Sequence, residues 1–419
     1  MNSSRKYWDT GTVLLSHFAR FWDKGTVLLS HFIRFWDKRT VPLSLFVCMM
    51  VLTGCREEVT IFLPEHVSVA QPEFTDIEGF FLMCEGNMGW NKATLDYYDY
   101  AEGEYIRNIF SYANPTVPKE MGDVGNDIGI YGSNLYCVIN CSNKVDVLDK
   151  YTCQKKYQIN IPNCRYIRFY GGYAYVTSYA GPVQINPNYE QRGYVAKVDT
   201  VTMQVVDTCL VGFQPDELEI VEGKIYVANS GGYMVPNYEN TLSVIDVATF
   251  KEERRVPIAI NLSWVKGDRH GMLWVASRGD YYTRPSKIYA YDTRKQQLVD
   301  SIDCRVSNMW LDGDSLYVVS TQWSYVSMSN EFSYAIINTL SREKVCDNFI
   351  TDGTDKDIVI PYAVAVNPIT KDIYVTDAKD YVSPGRLFCF DRYGVKKWDV
   401  RTGDIPAHFA FLGNNINER

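Results

Sequence analysis

Proton transfer or metal ligation in this chain would have to rest on five histidines in 419 residues. Two of them, His17 and His31, sit in N-terminal tandem copies, and His66, His270 and His408 are far apart in sequence. No His-Glu-x-x-His run and no Cys-x-x-Cys pair occurs. Gly171 and Gly231 each open a Gly-Gly-Tyr, but no Gly-rich loop leads from a strand into a helix, so these read as turns. On this inventory the sequence assigns no catalytic residue, no metal and no cofactor.

Aromatic side chains are the abundant resource, with Tyr 31, Phe 19 and Trp 9. They recur in six long, irregular stretches. These read EGNMGWNKA from Glu85, SYAGPVQINPNYEQRG from Ser178, NSGGYMVPNYEN from Asn229, SRGDYYTRPS from Ser277, TQWSYVSMSNEF from Thr321 and DAKDYVSPG from Asp377. Four of them carry Tyr-x-x-Pro, at Tyr179, Tyr233, Tyr282 and Tyr381. Tyr281, Trp90, Trp323 and Tyr325 add further rings. Two readings follow: an aromatic mouth for a large, flat or semi-apolar ligand, or rings that pack on one another and stabilise their own loops. Arg278, Arg284, Arg386 and Lys379 lie in the same stretches. They either meet a phosphate or carboxylate on that ligand or are solvated surface groups. The expected ligand-binding set is Trp90, Tyr179, Tyr233, Arg278, Tyr281, Tyr282, Trp323, Tyr325, Tyr381 and Arg386.

The elements that must position these loops form a sevenfold repeat. An apolar-aromatic-apolar-small strand recurs as Phe80-Phe81-Leu82-Met83, LYCV at Leu135, AYVT at Ala174, IYVA at Ile225, LWVA at Leu273, LYVV at Leu316 and IYVT at Ile373. From Phe81 to Tyr374 six intervals cover 293 residues, a mean near 49. A second strand ends at Asp99, Asp149, Asp199, Asp246, Asp292, Asn338 and Asp391. A period of 40–50 residues built of strands alone marks a β-propeller of four strands per blade. The fold class expected is therefore all-β, a seven-bladed propeller. Seven equivalent acidic residues around a ring cannot be one active site, so the strand-end Asp reads as a turn acceptor. The repeated aromatics read as packing between blades. The segment from Phe80 lacks an inner strand before it, and Pro406–Phe411 is an inner strand without a blade. Their pairing would close the ring. The long aromatic stretches then fall on the connections between these two recurring strands, the second and third of each blade counted from the axis, all on one face of the ring.

Near-copies of 14 residues begin at Trp8, Trp22 and Trp36. The third runs through Lys38-Arg39 and the apolar run Val41–Leu52 into Leu-Thr-Gly-Cys55, which reads as a secretory signal too short to span a bilayer. Leu-Thr-Gly-Cys resembles the bacterial lipobox, which implies lipidation of Cys55, membrane attachment by a lipid anchor, and an outer-membrane location reinforced by the acidic Glu57-Glu58. The domain reading is a signal region 1–54, a lipidated tether 55–78, a propeller 79–412 and a tail 413–419. Removing 54 residues leaves 365, and taking seven basic and three acidic residues from a net −8 leaves −12. That charge excludes nucleic acid as an expected partner. Nine cysteines follow Cys55. The odd number leaves at least one unpaired.

The stretches FFLMCEGNMGWNKATLDYYD, IYGSNLYCVINCSNKVDVLD and LEIVEGKIYVANSGGYMVPNYENTLSVIDVAT resemble the YncE-like, surface-layer-type propeller lipoproteins of Bacteroides relatives. The resemblance spans about residues 79–412. It implies a surface protein that binds a bulky nutrient over the axial face. Some members similar to these capture corrinoids such as cobalamin and pass them to a TonB-dependent outer-membrane transporter. A scaffold or adhesion propeller for protein or glycan is the second expectation. A propeller lactonase or lyase is the third, and the absence of a repeated His/carboxylate cluster argues against it.

Overall fold

A computed structural model describes residues 64–117, 120–324 and 329–413, without the side chains of 322–324 and 329. The signal region, Cys55, Tyr325 and residues 414–419 lie outside the described residues. The described chain is almost entirely antiparallel sheet. Blade 1 holds β1 (Glu65–Ser68), β2 (Ile77–Cys84), β3 (Thr94–Asp99) and β4 (Glu104–Arg107), followed by a short helix α1 (Ile109–Ala113). Blade 2 is β5 (Gly125–Tyr131), β6 (Asn134–Ile139), β7 (Lys144–Asp149) and β8 (Lys155–Asn160). Blade 3 is β9 (Cys164–Tyr170), β10 (Tyr173–Ser178), β11 (Tyr194–Asp199) and β12 (Gln204–Leu210). Blade 4 is β13 (Pro215–Val221), β14 (Lys224–Asn229), β15 (Thr241–Asp246) and β16 (Lys251–Pro257). Blade 5 is β17 (Leu262–Gly267), β18 (Met272–Ser277), β19 (Lys287–Asp292) and β20 (Gln297–Ile302). Blade 6 is β21 (Asn308–Asp312), β22 (Ser315–Ser324), β23 (Ser329–Asn338) and β24 (Glu343–Cys346). Blade 7 is β25 (Pro361–Val366), β26 (Ile373–Asp377), β27 (Pro384–Phe390) and β28 (Lys396–Asp404).

The last strand, β29 (Pro406–Gly413), pairs with β2 and becomes the inner strand of blade 1. The ring is thus closed as the sequence implies. Inner strands touch in the order β5, β9, β13, β17, β21, β25, β29 and back to β5. One feature was not legible. Residues 65–68, read in sequence as tether, form β1 and cover the outer edge of blade 1 by pairing with β4. A four-residue Glu-His-Val-Ser strand carries too little apolar alternation to announce itself.

Blades hold together because both faces of each sheet are apolar. One cluster takes Tyr136, Val138 and Val147 from blade 2 and Ile167, Ala174 and Val176 from blade 3. The repeated aromatics work at these seams: Tyr226 meets Tyr291 of the next blade at 6.3 Å, and Tyr374 meets Phe80 across the closure at 4.7 Å. The strand-end acceptors all cap turns. Backbone N–H groups donate to Asp99 from Glu102, to Asp149 from Tyr151 and Thr152, and to Asp199 from Val201 and Thr202. Asp246, Asp292, Asn338 and Asp391 receive the equivalent bonds. This repetition assigns them to structure.

All nine described cysteines are free thiols, and seven are buried. Burial pushes the Cys153 and Cys164 thiols up to about 12 and holds Cys84 and Cys137 well above the ordinary range. Thiolate is the reactive form. Among these nine, Cys141 and Cys346 should therefore be the ones modified by a maleimide in the native protein, with the other seven reacting only in denaturant. Mass-spectrometric mapping checks this, and fast native labelling of Cys137 or Cys164 would contradict the packing.

Candidate functional site

Six of the seven inner strands carry a register shift near the start of their pairing, where the chain enters from the face bearing the long loops. A bulge re-aims side chains that regular alternation would bury. The freed N–H groups are satisfied locally: Thr177 Oγ1 accepts from Tyr166 N and Thr376 Oγ1 from Ala363 N. The shifts bring Arg165, Tyr166, Trp264, Tyr362 and His408 to the wall of a cavity of about 540 Å³ at that end of the axis. That volume suits a small-molecule site.

One carboxylate organises the blade 3–5 side of the wall. Asp216, 1% exposed on β13, accepts from the Arg278 guanidinium at 2.6 Å, from Arg165 at 3.4 Å and from the Tyr179 hydroxyl at 2.6 Å. Arg165 also lies over the Tyr179 ring at 4.7 Å, and Tyr179 meets Tyr233 edge-on at 6.3 Å. Burial alone would raise the Asp216 carboxyl, but Arg278, Arg165 and the Tyr179 hydroxyl outweigh it and hold it below the usual carboxylate range. The same burial acts on Tyr179 without being outweighed, and its phenol stays neutral.

Across the cavity Glu85, the residue after β2, accepts from the Tyr362 hydroxyl at 2.8 Å and contacts His408 Nε2 at 3.1 Å. The His408 ring is 6.4 Å from the Tyr166 ring, which in turn meets Trp264 at 5.5 Å. Asn126, Asn140, Asn308, Ser307 and Thr321 complete a polar wall, with Met88 and Tyr281 at its mouth. A second cavity of about 330 Å³ shares Trp264, Asn308, Ala407 and His408 with the first and continues along the axis. Its wall is cross-tied: Arg168 pairs with Asp127 at 2.9 Å and with Glu217, and Lys266 pairs with Glu217 at 2.5 Å. Among the described residues no group of three or more His, Cys, Asp or Glu converges to hold a metal.

The loops reach the mouth through two close approaches. Gly231 (φ +53) lies where a Cβ would stand 2.4 Å from Glu239 N, and Gly279 (φ +67) where it would stand 2.0 Å from Arg284 O. Any larger residue would push these loops off their own stems.

The sequence-derived set divides. Tyr233, Tyr281 and Arg278 line the cavity. Tyr179 is buried behind the wall as a support for Asp216 and Arg165. Tyr381 packs edge-on against the lining residue Tyr362 at 5.9 Å. Trp90 and Tyr282 do not line the cavity and are 68% and 78% exposed. Asp280 turns its loop by accepting from the N–H groups of Tyr282, Thr283 and Arg284. Of the two adjacent rings, Tyr281 reaches the cavity and Tyr282 does not. Arg386 is also away from the cavity, tied to Asp399 of its own blade. Trp323 belongs to β22, opposite Asn330. Sequence reasoning missed Arg165, Tyr166, Asp216, Glu85, Trp264 and Tyr362, and it gave His408 no role. The usable signal was the set of charges at Arg165, Arg168, Asp216, Glu217, Glu219 and Lys266 on strands that should be apolar.

No family model matches the chain, and a search of curated proteins returns no match. Solved structures do match. A quinonprotein alcohol dehydrogenase-like protein from Bacteroides thetaiotaomicron is similar at 12% identity and a TM-score of 0.52, over 82% of this chain and 80% of that one. A protein from Bacteroides fragilis assigned provisionally as a 6-phosphogluconolactonase is similar at 11% identity and a TM-score of 0.56, over 81% of this chain and 99% of that one. Hydrazine synthase of Kuenenia stuttgartiensis is similar at 15% identity and a TM-score of 0.52, over 64% of this chain and 76% of that one. At such identities the likeness establishes the propeller fold alone.

Proposed function

We propose that this chain is a non-enzymatic, lipid-anchored surface protein that captures a bulky nutrient over the axial cavity. A corrinoid such as cobalamin is the first candidate, and a TonB-dependent outer-membrane transporter is the recipient. The observation that carries the reading is the cavity of about 540 Å³ with a polar wall and an apolar mouth formed by Met88, Tyr233 and Tyr281. A flat macrocycle would lie across those rings while a polar side arm enters between the Asn and Ser groups. Leu-Thr-Gly-Cys55 supports the anchor, and the resemblance to nutrient-capturing propellers supports the transfer step.

Titration with cyanocobalamin, followed by calorimetry and visible absorbance, tests the ligand. Saturable one-to-one binding is expected. The double variant Tyr233→Ala/Tyr281→Ala should weaken it by about thirtyfold, the scale of losing a buried aromatic anchor. No heat and no spectral change at tens of micromolar would remove the corrinoid and move the search to protein and glycan partners.

A catalytic reading is favoured by one contact, Glu85 with His408 at 3.1 Å inside the cavity. The names of the two Bacteroides neighbours point the same way. Here Glu85 would orient the imidazole and His408 would move a proton. A lactone hydrolysed at a rate lost in His408→Gln would establish this reading over simple capture.

A further inference from the structure

We infer that the axial cavity holds an oxyanion of its ligand, a phosphate or a carboxylate, between the guanidiniums of Arg165 and Arg278. The inference rests on the reading that this cavity is the ligand site, and it deepens that reading by naming the group recognised.

The argument starts from charge. Arg165 and Arg278 are 15% and 30% exposed and both line the cavity. Among the described residues they share a single carboxylate, Asp216. Their other close neighbours are phenols: Tyr166, Tyr179 and Tyr233 around Arg165, and Tyr166, Tyr179 and Tyr281 around Arg278. The other carboxylate in the wall, Glu85, is already engaged by Tyr362 and His408. Arg305, farther along the wall, has its own partner in Glu331 at 2.8 Å. Two guanidiniums on one carboxylate give this node an excess of one positive charge in a half-buried wall, with Glu85 across the cavity. Such a charge is costly unless something anionic or well solvated meets it.

A purely structural latch would not need the second arginine. Asp216 on β13 could tie blade 3 to blade 4 through Arg165 alone, or blade 4 to blade 5 through Arg278 alone. Using both gives the node its excess charge. Each guanidinium presents five N–H donors in a planar fork. Asp216 takes one terminal nitrogen of each, Nη2 of Arg165 and Nη1 of Arg278, which leaves other donors of both forks unused by it. The Asp216 bonds and the Tyr179 ring under Arg165 fix the two forks in place. A fork held beforehand binds a planar or tetrahedral oxyanion without first losing side-chain freedom.

Sodium phosphate and sodium acetate, titrated calorimetrically into the full-length chain at constant ionic strength set by sodium chloride, test the site. Saturable uptake of at least one of them is expected. Arg278→Gln should weaken it by about tenfold or more, the scale of losing a charged hydrogen bond. Arg294→Gln, which removes an exposed guanidinium paired with Glu222 on the surface, should leave it unchanged. Should Arg278→Gln unfold, Arg278→Lys keeps the charge but loses the fork, and weaker uptake is again expected. Preference for phosphate over acetate, or the reverse, tells which oxyanion the ligand carries. No saturable uptake of either ion by the folded wild type overturns the inference, as does equal uptake by wild type and the Arg278 variant. Cyanocobalamin titrated into the same samples separates the two readings. Cobalamin bound without either ion overturns the oxyanion site and leaves capture standing. Ion uptake without cobalamin upholds the site and removes the corrinoid.

Discussion

A chain truncated after Ile405 is expected to lose its cooperative fold. It lacks β29, the inner strand of blade 1, whose residues Phe409 and Phe411 pack on Phe80 at 5.6 and 5.7 Å. Phe411 also meets Trp310 at 5.8 Å and Tyr374 at 6.2 Å, so the strand joins blades 1, 6 and 7 as well as pairing with β2. Truncating one buried Phe to Ala costs about 3–5 kcal/mol. Two such losses approach the whole stability of a typical domain, about 5–15 kcal/mol. The loss of β29 also strips the backbone partners from one edge of β2 and opens the ring. Thermal unfolding of the 1–405 chain followed by circular dichroism should show no sharp transition. A sharp transition within a few degrees of full length would mean that closure is ornamental. Phe409→Ala with Phe411→Ala in the full chain should lower the melting temperature in the same direction while keeping the strand.

Asp216→Asn is expected to destabilise the protein by about 3–5 kcal/mol, the scale of leaving buried charges without their partner. The substitution is nearly isosteric, so the loss reports charge rather than packing. In the wild type the Asp216 carboxyl is held below its ordinary value, so the folded form binds its proton less readily than the unfolded form. Its contribution is therefore complete above the unfolded value near 4 and is lost as pH falls through the lower folded one. Denaturant unfolding at pH 7 should separate wild type from Asp216→Asn widely, and the gap should close in acid below about pH 4. Replacing Arg278 by Met in the Asp216→Asn background should recover part of the loss, because one of the stranded cations goes with it. A pH-independent gap would place the effect in packing.

The propeller was legible because its signals are local. Leu135–Val138 or Ile225–Ala228 shows a buried strand by its own short apolar, aromatic-bearing run, and Asp149 or Asp292 shows a turn within three residues. The site was not legible because its members are distant: Arg165 and Asp216 are 51 residues apart, and Asp216 and Arg278 are 62 apart. They meet only because neighbouring blades set equivalent positions side by side and bulges swing the first inner residues towards the axis. The loop aromatics show a different limit. Composition placed Tyr281 and Tyr282 equally, and only the turn around Asp280 sends one to the cavity and the other to solvent. His408 looked isolated in sequence because Glu85, its partner, lies 323 residues away across the closure.

That closure also sets a timetable for biosynthesis. Pro406 follows Cys84 by 322 residues, so at about 5–20 residues per second the ribosome needs roughly 15–65 s to deliver the partner of β2. Throughout that interval the nascent chain carries a bare, strongly apolar strand edge, Phe80-Phe81-Leu82-Met83, which is a template for pairing with another polypeptide. The first blade begun is thus the last completed. Chaperone demand during synthesis should fall on this amino-terminal edge rather than on the five blades that are complete within themselves before blade 7 emerges.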